Sequence, residues 1–147
     1  MTDDPLTTAK HRADLWRGLA VSPVAEEYYH GLRLGLVFAG RADADEHGAA
    51  RARPYHEDDP TDALRYATAC GYVDGLQWDT PTAHVGLLRL AILLRTEGSA
   101  RAYARSIDVD ERTVRRWLAG ARPIAGVTLA LLQREIDWRS DYGDYDL

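Results

Sequence analysis

Apolar residues recur at helical spacing along most of the chain, and no stretch shows sustained two-residue alternation. This pattern predicts an all-α protein. The predicted helices span about residues 7–20, 23–39, 62–78, 84–96, 99–107, 110–119 and 124–138. In the first of them, Leu15, Trp16 and Leu19 are the expected apolar anchors. Ser22-Pro23 is a typical helix start, with serine as the cap and proline at the first helical position.

The chain divides by charge more clearly than by hydrophobicity. Residues 1–80 carry 8 basic and 14 acidic side chains, and we expect them to form an acidic helical region with a long mobile loop at about 40–60. Residues 81–140 carry 10 arginines and 6 acids, a net charge of +4 within a chain of net charge −5. Residues 141–147 form an acidic tail. A basic segment inside an acidic chain is typical of a nucleic-acid site.

Two glycine pairs stand four residues apart and 40 positions from each other, Gly31 with Gly35 and Gly71 with Gly75. Glycine inside a helix costs about 1 kcal/mol relative to alanine, so paired glycines call for a reason. Residues at i and i+4 share one helix face, and glycines there let another backbone approach closely. We therefore expect the two helices to cross at these glycines, with chance occurrence as the alternative.

The string from Ser99 to Pro123 satisfies the local requirements of a helix-turn-helix. Two short helices need a small residue where they meet, a turn that tolerates left-handed geometry, and apolar inner positions. Ala104, Asp108 and Val109 fit the meeting point and the turn. The expected inner positions are Tyr103, Ile107, Val114 and Trp117. The side chains left on the outer face of the second helix are Glu111, Arg112, Thr113, Arg115 and Arg116.

This string resembles the DNA-binding domain of lambda-repressor-like and Cro-like (XRE-type) regulators. The positions that carry the resemblance are Ser99, Ala104, Asp108-Val109, Asp110, Val114, Trp117, Ala119-Gly120 and Arg122-Pro123. They follow one another without a gap, closely over residues 99–123 and more loosely over about 85–138. The chain departs from the pattern at Asp108, where the family more often has glycine, and at Leu118, where an acid is common. Residues 1–80 resemble no family that we can name.

The resemblance implies that residues 81–140 form a DNA-binding domain, with Glu111, Arg112, Thr113, Arg115 and Arg116 toward the major groove. Phosphate contacts are implied for Ser99, Arg101 and Arg122. The chemistry of these side chains agrees with those roles. Arginine reads guanine at O6 and N7, and glutamate accepts from cytosine N4.

Several other functions lack the residues they require. One cysteine, Cys70, excludes an internal disulfide and a thiolate-rich zinc site, and it is expected to be a small packing residue. The five histidines lack metal-ligand spacing, and the run His56-Glu57-Asp58-Asp59 is expected to be solvated rather than to hold an ion. No phosphate loop or nucleophile elbow occurs. We expect no enzyme, no metal, no cofactor and no membrane span, in a cytoplasmic protein.

The sequence therefore predicts a sequence-specific regulator that binds double-stranded DNA, a dimeric repressor of phage or mobile-element type. A dimer is expected because one recognition helix covers only a few base pairs. Its interface is expected in the N-terminal helices or in the last helix, at Leu129, Leu131, Leu132 and Ile136. The alternative is a protein-binding inhibitor, such as a phage-encoded inhibitor of a host defence complex or an antitoxin. In an inhibitor residues 1–80 are the effector and the helix-turn-helix controls its own operon, whereas in an antitoxin the acidic tail occupies the toxin.

Overall fold

The computed structural model describes residues 4–20, 22–39, 62–80, 82–124, 128–134 and 136. Within these ranges every regular element is a helix, which confirms the all-α prediction. The helices are α1 Pro5–Leu19, α2 Pro23–Ala39, α3 Ala63–Leu76, α4 Val85–Thr96, α5 Ala100–Ser106, α6 Glu111–Leu118 and a last segment, α7, at 128–134. The predicted loop at 40–60 and the acidic tail at 141–147 lie outside the described residues.

Helix α4 is central to the fold because almost its whole circumference is buried. Leu87, Leu88 and Leu90 have no exposed surface, whereas Arg89 between them is exposed. One hydrophobic cluster joins α4 to side chains of α2, α3, α5, α6 and α7. One apolar core therefore contains residues from both sides of residue 80. The predicted division of the chain into an acidic region and a DNA-binding domain at this point stays a prediction.

Helices α2 and α3 cross at their glycines, as the sequence predicts. A Cβ atom at Gly31 would overlap the carbonyl oxygen of Thr68, and one at Gly35 would overlap that of Tyr72. The glycines of α3 meet the backbone of α2 in the same way. The contacts advance in the same direction along both helices, so α2 and α3 run parallel. The close approach leaves no room for a side chain at any of the four positions.

Helix α1 packs on α2 through a different face from the predicted one. Ala13 is buried, with 1% of its surface exposed, whereas Leu15 and Leu19 are 59% and 60% exposed. Trp16 stacks on Tyr29 at a ring-centroid distance of 6.2 Å but keeps 41% of its surface exposed. The prediction that the two leucines anchor α1 was wrong, because the small Ala13 is the residue that fits into the contact.

The predicted serine cap of α2 is confirmed, and α3 begins at an aspartate cap. The hydroxyl of Ser22 accepts from the Ala25 N–H at 3.1 Å, and the carboxylate of Asp62 accepts from the Arg65 N–H at 3.2 Å. Each of these side chains satisfies an N–H that has no partner inside the helix. Both helices therefore begin where the sequence indicates.

Ile124, where the last helix is predicted to begin, is not helical; it packs against the core. Leu132 and Ile136 are buried in the core of their own chain, with 1% and 0% exposure. The proposal that these two side chains form a dimer interface was therefore wrong. On the same segment Leu131 is 59% exposed.

Candidate nucleic-acid interface

Helix α5 begins at a serine cap and has one buried face. The hydroxyl of Ser99 accepts from the Ala102 N–H at 3.1 Å. Tyr103 and Ala104 are each 1% exposed, whereas Arg101 is fully on the outer side. Burial of the aromatic ring against the core fixes the rotation of this short helix, so the arginine is directed to solvent.

The connection between α5 and α6 is a tight turn with one left-handed residue. Asp108 has φ of 56°, as predicted from its tolerance of that geometry. The N–H of Val109 donates to the carbonyl of Ala104 at 2.9 Å, which satisfies a carbonyl at the end of α5. Val109 itself is half-buried and packs against the core. The turn thus sets the angle between the two helices with local bonds.

Helix α6 is held by two buried side chains and exposes three arginines. The carboxylate of Asp110 caps it by accepting from the Arg112 N–H at 3.3 Å. Val114 is 0% and Trp117 6% exposed. Three exposed side chains form what we call the arginine face, namely Arg112, Arg115 and Arg116. An open depression runs beside this face.

Glu111 is paired with arginines. Its Oε2 accepts from the Arg115 Nε at 2.9 Å, and its Oε1 lies 3.9 Å from the Arg101 Nε. The Glu111 side chain is 37% exposed, and Thr113 is also half-buried. One acid therefore links the outer sides of α5 and α6. The spacing of four residues from Glu111 to Arg115 is the sequence signal for the first pair.

The remaining predicted residue, Arg122, lies in the exposed segment that follows α6. That segment leaves the helix at Gly120, whose φ of 71° is in the left-handed region. The structure thus brings Arg101, Glu111 and Arg115 together and leaves Arg112 and Arg116 exposed beside them. Residues 99–122 carry six arginines and three acids, so this surface has an excess of positive charge.

Asp74 is a buried acid that joins three helices. Its Oδ2 accepts from the Tyr28 hydroxyl at 2.8 Å and from the Leu87 N–H at 2.7 Å, and its Oδ1 accepts from the Gly86 N–H at 2.8 Å. His84 occupies the N-cap position immediately before α4, but it has φ of 72° and its side chain makes no capping bond. Asp74 therefore caps α4 from a different helix, and α4 is the element that supports α5 and α6.

Burial raises the pKa of Asp74 to about 7, although its hydrogen bonds from Tyr28 and the two N–H groups act in the opposite direction. Burial also raises the pKa of the Cys70 thiol and lowers that of His84. Our sequence interpretation missed Asp74. The available signal was an acid between Val73 and Gly75 on a helix with few other charges.

The described part of the chain contains no group of three or more His, Cys, Asp or Glu side chains that could hold a metal ion. The run at His56 lies outside it. Cys70 is a buried packing residue, as predicted. None of the described helices is long and apolar enough to cross a membrane.

Comparison with known proteins finds no relative of this chain. The chain matches no protein-family model, no curated protein and no solved structure.

Proposed function

We propose that this protein binds double-stranded DNA in a sequence-specific manner, with α5 and α6 as a helix-turn-helix and α6 as the recognition helix. The observation that carries the proposal is the arginine face. Three exposed arginines lie on a short helix whose opposite side is fixed by Val114 and Trp117. A rigid support with exposed guanidinium groups is what base reading in the major groove requires.

The ion pairs of Glu111 divide the arginines into two groups. Among the described residues Arg112 and Arg116 form no ion pair, and we propose that they read base edges. Arg115 is held by Glu111, and Arg101 lies near the same carboxylate. We assign Arg101 and Arg122 to the DNA backbone, because contacts to phosphate position a protein without carrying sequence information.

The biological role that fits such a protein is a transcriptional regulator, a dimeric repressor of phage or mobile-element type. A two-fold dimer places its recognition helices about 34 Å apart, one helical turn of DNA. The selected operator is then a palindrome of two half-sites. Guanine is expected in each half-site because arginine is its commonest reader.

Selection of duplexes from a random pool by the full chain tests this proposal. We expect enrichment of one guanine-containing palindrome, bound at least a thousandfold more tightly than random duplex at physiological salt. A pool that stays random after repeated rounds, or a chain that shifts no duplex at low salt, would refute DNA reading.

The second candidate function is protein binding through residues 1–80, which the exposed side chains of α1 favour. Leu15 and Leu19 lie one turn apart with most of their surface in solvent. Trp16 beside them stacks on Tyr29 and is also partly exposed. Sedimentation equilibrium of the full chain and of its Leu15→Ser/Leu19→Ser variant tests whether this surface binds a second copy of the chain or is left for a different protein. Self-association that is lost in the variant would place the dimer interface on α1. A chain that is monomeric in both forms would exclude α1 as a self-association surface.

A further inference from the structure

A cavity of about 240 Å³ lies between α3, α4 and the end of α6. It is separate from the arginine face. The residues that give it its chemistry are Tyr66, Cys70, Gln77, Thr82, Arg89 and Leu118. Apolar side chains of α3 and α4 complete the lining, so an occupant would meet both polar groups and hydrocarbon.

The polar groups of the cavity favour an anion. Arg89 is the charged side chain among the described residues that line it; it is exposed, and its charge also lowers the pKa of the neighbouring Asp74. Burial raises the pKa of Tyr66 to about 12 and also raises the pKa of the Cys70 thiol, so both stay protonated at neutral pH. The Arg89 guanidinium suits a carboxylate, which accepts paired hydrogen bonds from arginine. A protonated thiol adds no nucleophile.

The size of the cavity favours a small ligand. Sites for drug-sized molecules measure about 300–1,000 Å³, and this cavity is slightly smaller. It therefore suits a molecule smaller than a typical drug, with an apolar body against the helices and an acid group near Arg89.

The cavity also touches the end of the proposed recognition helix. Leu118, the last residue of α6, is part of its lining. Two residues later, Gly120 lies so close to Thr82 of the lining that a Cβ atom at Gly120 would overlap the threonine methyl group. An occupant that displaces either contact changes the position of α6 relative to α4.

We propose that this cavity binds a small organic carboxylate with an apolar body, and that its occupancy alters DNA affinity through Leu118 and the Thr82–Gly120 contact. The second half rests on the proposed function, whereas the first half stands without it. A ligand shifts DNA binding only as far as it binds the two arrangements of α6 with different affinity.

Ligand binding is tested first, without DNA, by titration of the isotope-labelled full chain in ¹H–¹⁵N spectra. The probes are benzoate, phenylacetate and isovalerate, each paired with its neutral amide. We expect at least one acid to shift the Gly86 and Leu118 signals saturably, with its amide at least tenfold weaker. Arg89→Gln should abolish that difference, and Arg95→Gln, on the same helix outside the cavity, should preserve it. Absence of saturation by any acid, or equal binding of acid and amide, overturns the site.

Coupling is tested next, by measuring the Kd of the selected duplex with and without a saturating amount of the bound acid. We expect a change of about fivefold or more in the wild type and none in Arg89→Gln. An unchanged Kd with proven acid binding overturns the coupling but keeps the site. A chain that binds the acid and no DNA overturns the proposed function but keeps the site.

Discussion

The α2–α3 crossing and the α5–α6 pair are two helix contacts built on opposite principles. At the crossing, side chains are removed, and backbone meets backbone over four glycines. In the α5–α6 pair, a few buried side chains hold two short helices whose outer faces carry charge. The first contact leaves no room for added atoms. The second tolerates substitution on its outer faces, because its buried side chains Tyr103, Ala104, Val114 and Trp117 all lie on the inner faces.

This difference indicates where stability and function are separated in the chain. Substitutions at the crossing should act on folding, and substitutions on the arginine face should act on binding with little effect on folding. Asp74 lies between the two regions, because it caps α4 while it accepts from Tyr28 beside the crossing.

The largest expected effect is that of Gly71→Ala. The added Cβ would overlap the carbonyl oxygen of Tyr28, so the helices must separate, at a cost of about 3 kcal/mol in the free energy of unfolding. The matched control is Gly18→Ala on α1, where a Cβ meets nothing within 4 Å. It should be neutral or stabilising by up to about 1 kcal/mol. Denaturant unfolding measures both, and equal effects would contradict a close crossing.

The next effect is a pH dependence from Asp74. The carboxyl has a pKa of about 7 in the folded chain and about 4 when unfolded. Between these values the folded chain holds a proton that the unfolded chain has lost, so the free energy of unfolding falls as pH rises from about 4 to about 7.

The Asp74→Asn variant lacks the titratable carboxyl group, so it serves as the reference for the pH dependence of the free energy of unfolding. Its own capping is weaker, because an amide offers one acceptor oxygen where the carboxylate has two. Unfolding curves of both proteins across that pH range should give a difference that changes with pH. A difference that is constant would show that Asp74 is ionised throughout, as at an exposed site.

The smallest expected effect on stability is that of Glu111→Gln, a few tenths of a kcal/mol, because its ion pairs are partly exposed. Its effect on DNA should be larger and unselective. Loss of a negative charge beside Arg101 and Arg115 should tighten binding to all duplexes alike. Fluorescence anisotropy with the selected and a scrambled duplex measures this. Weakening confined to one G·C pair of the operator would show instead that Glu111 reads cytosine.

Local features were predictable from sequence because their causes are local. Caps at Ser22, Asp62, Ser99 and Asp110, and the left-handed turn at Asp108, each follow from a few neighbouring residues. The glycine crossing was predictable because both partners carry the same rare spacing. These signals set the helix order and the location of the candidate site.

Features that depend on partners distant in sequence were not predictable. The face of α1 that packs on α2 is chosen by the shape of α2, so Leu15 and Leu19 were misplaced. Asp74 caps a helix that begins eleven residues later, and its bonds run to Tyr28 as well. The pairing of Glu111 with Arg101 depends on the angle between α5 and α6. The cavity beside Leu118 was not predictable because its walls come from three helices whose packing the sequence does not specify.

The most direct test of the account compares two pairs of arginines on the selected duplex and on a scrambled one across a range of salt concentrations. Arg112→Ala and Arg116→Ala should each cost about 1–3 kcal/mol on the selected duplex and little on the scrambled one. Arg101→Ala and Arg122→Ala should weaken both duplexes alike and reduce the salt slope by about one. The same loss from all four variants on both duplexes would contradict sequence reading by α6.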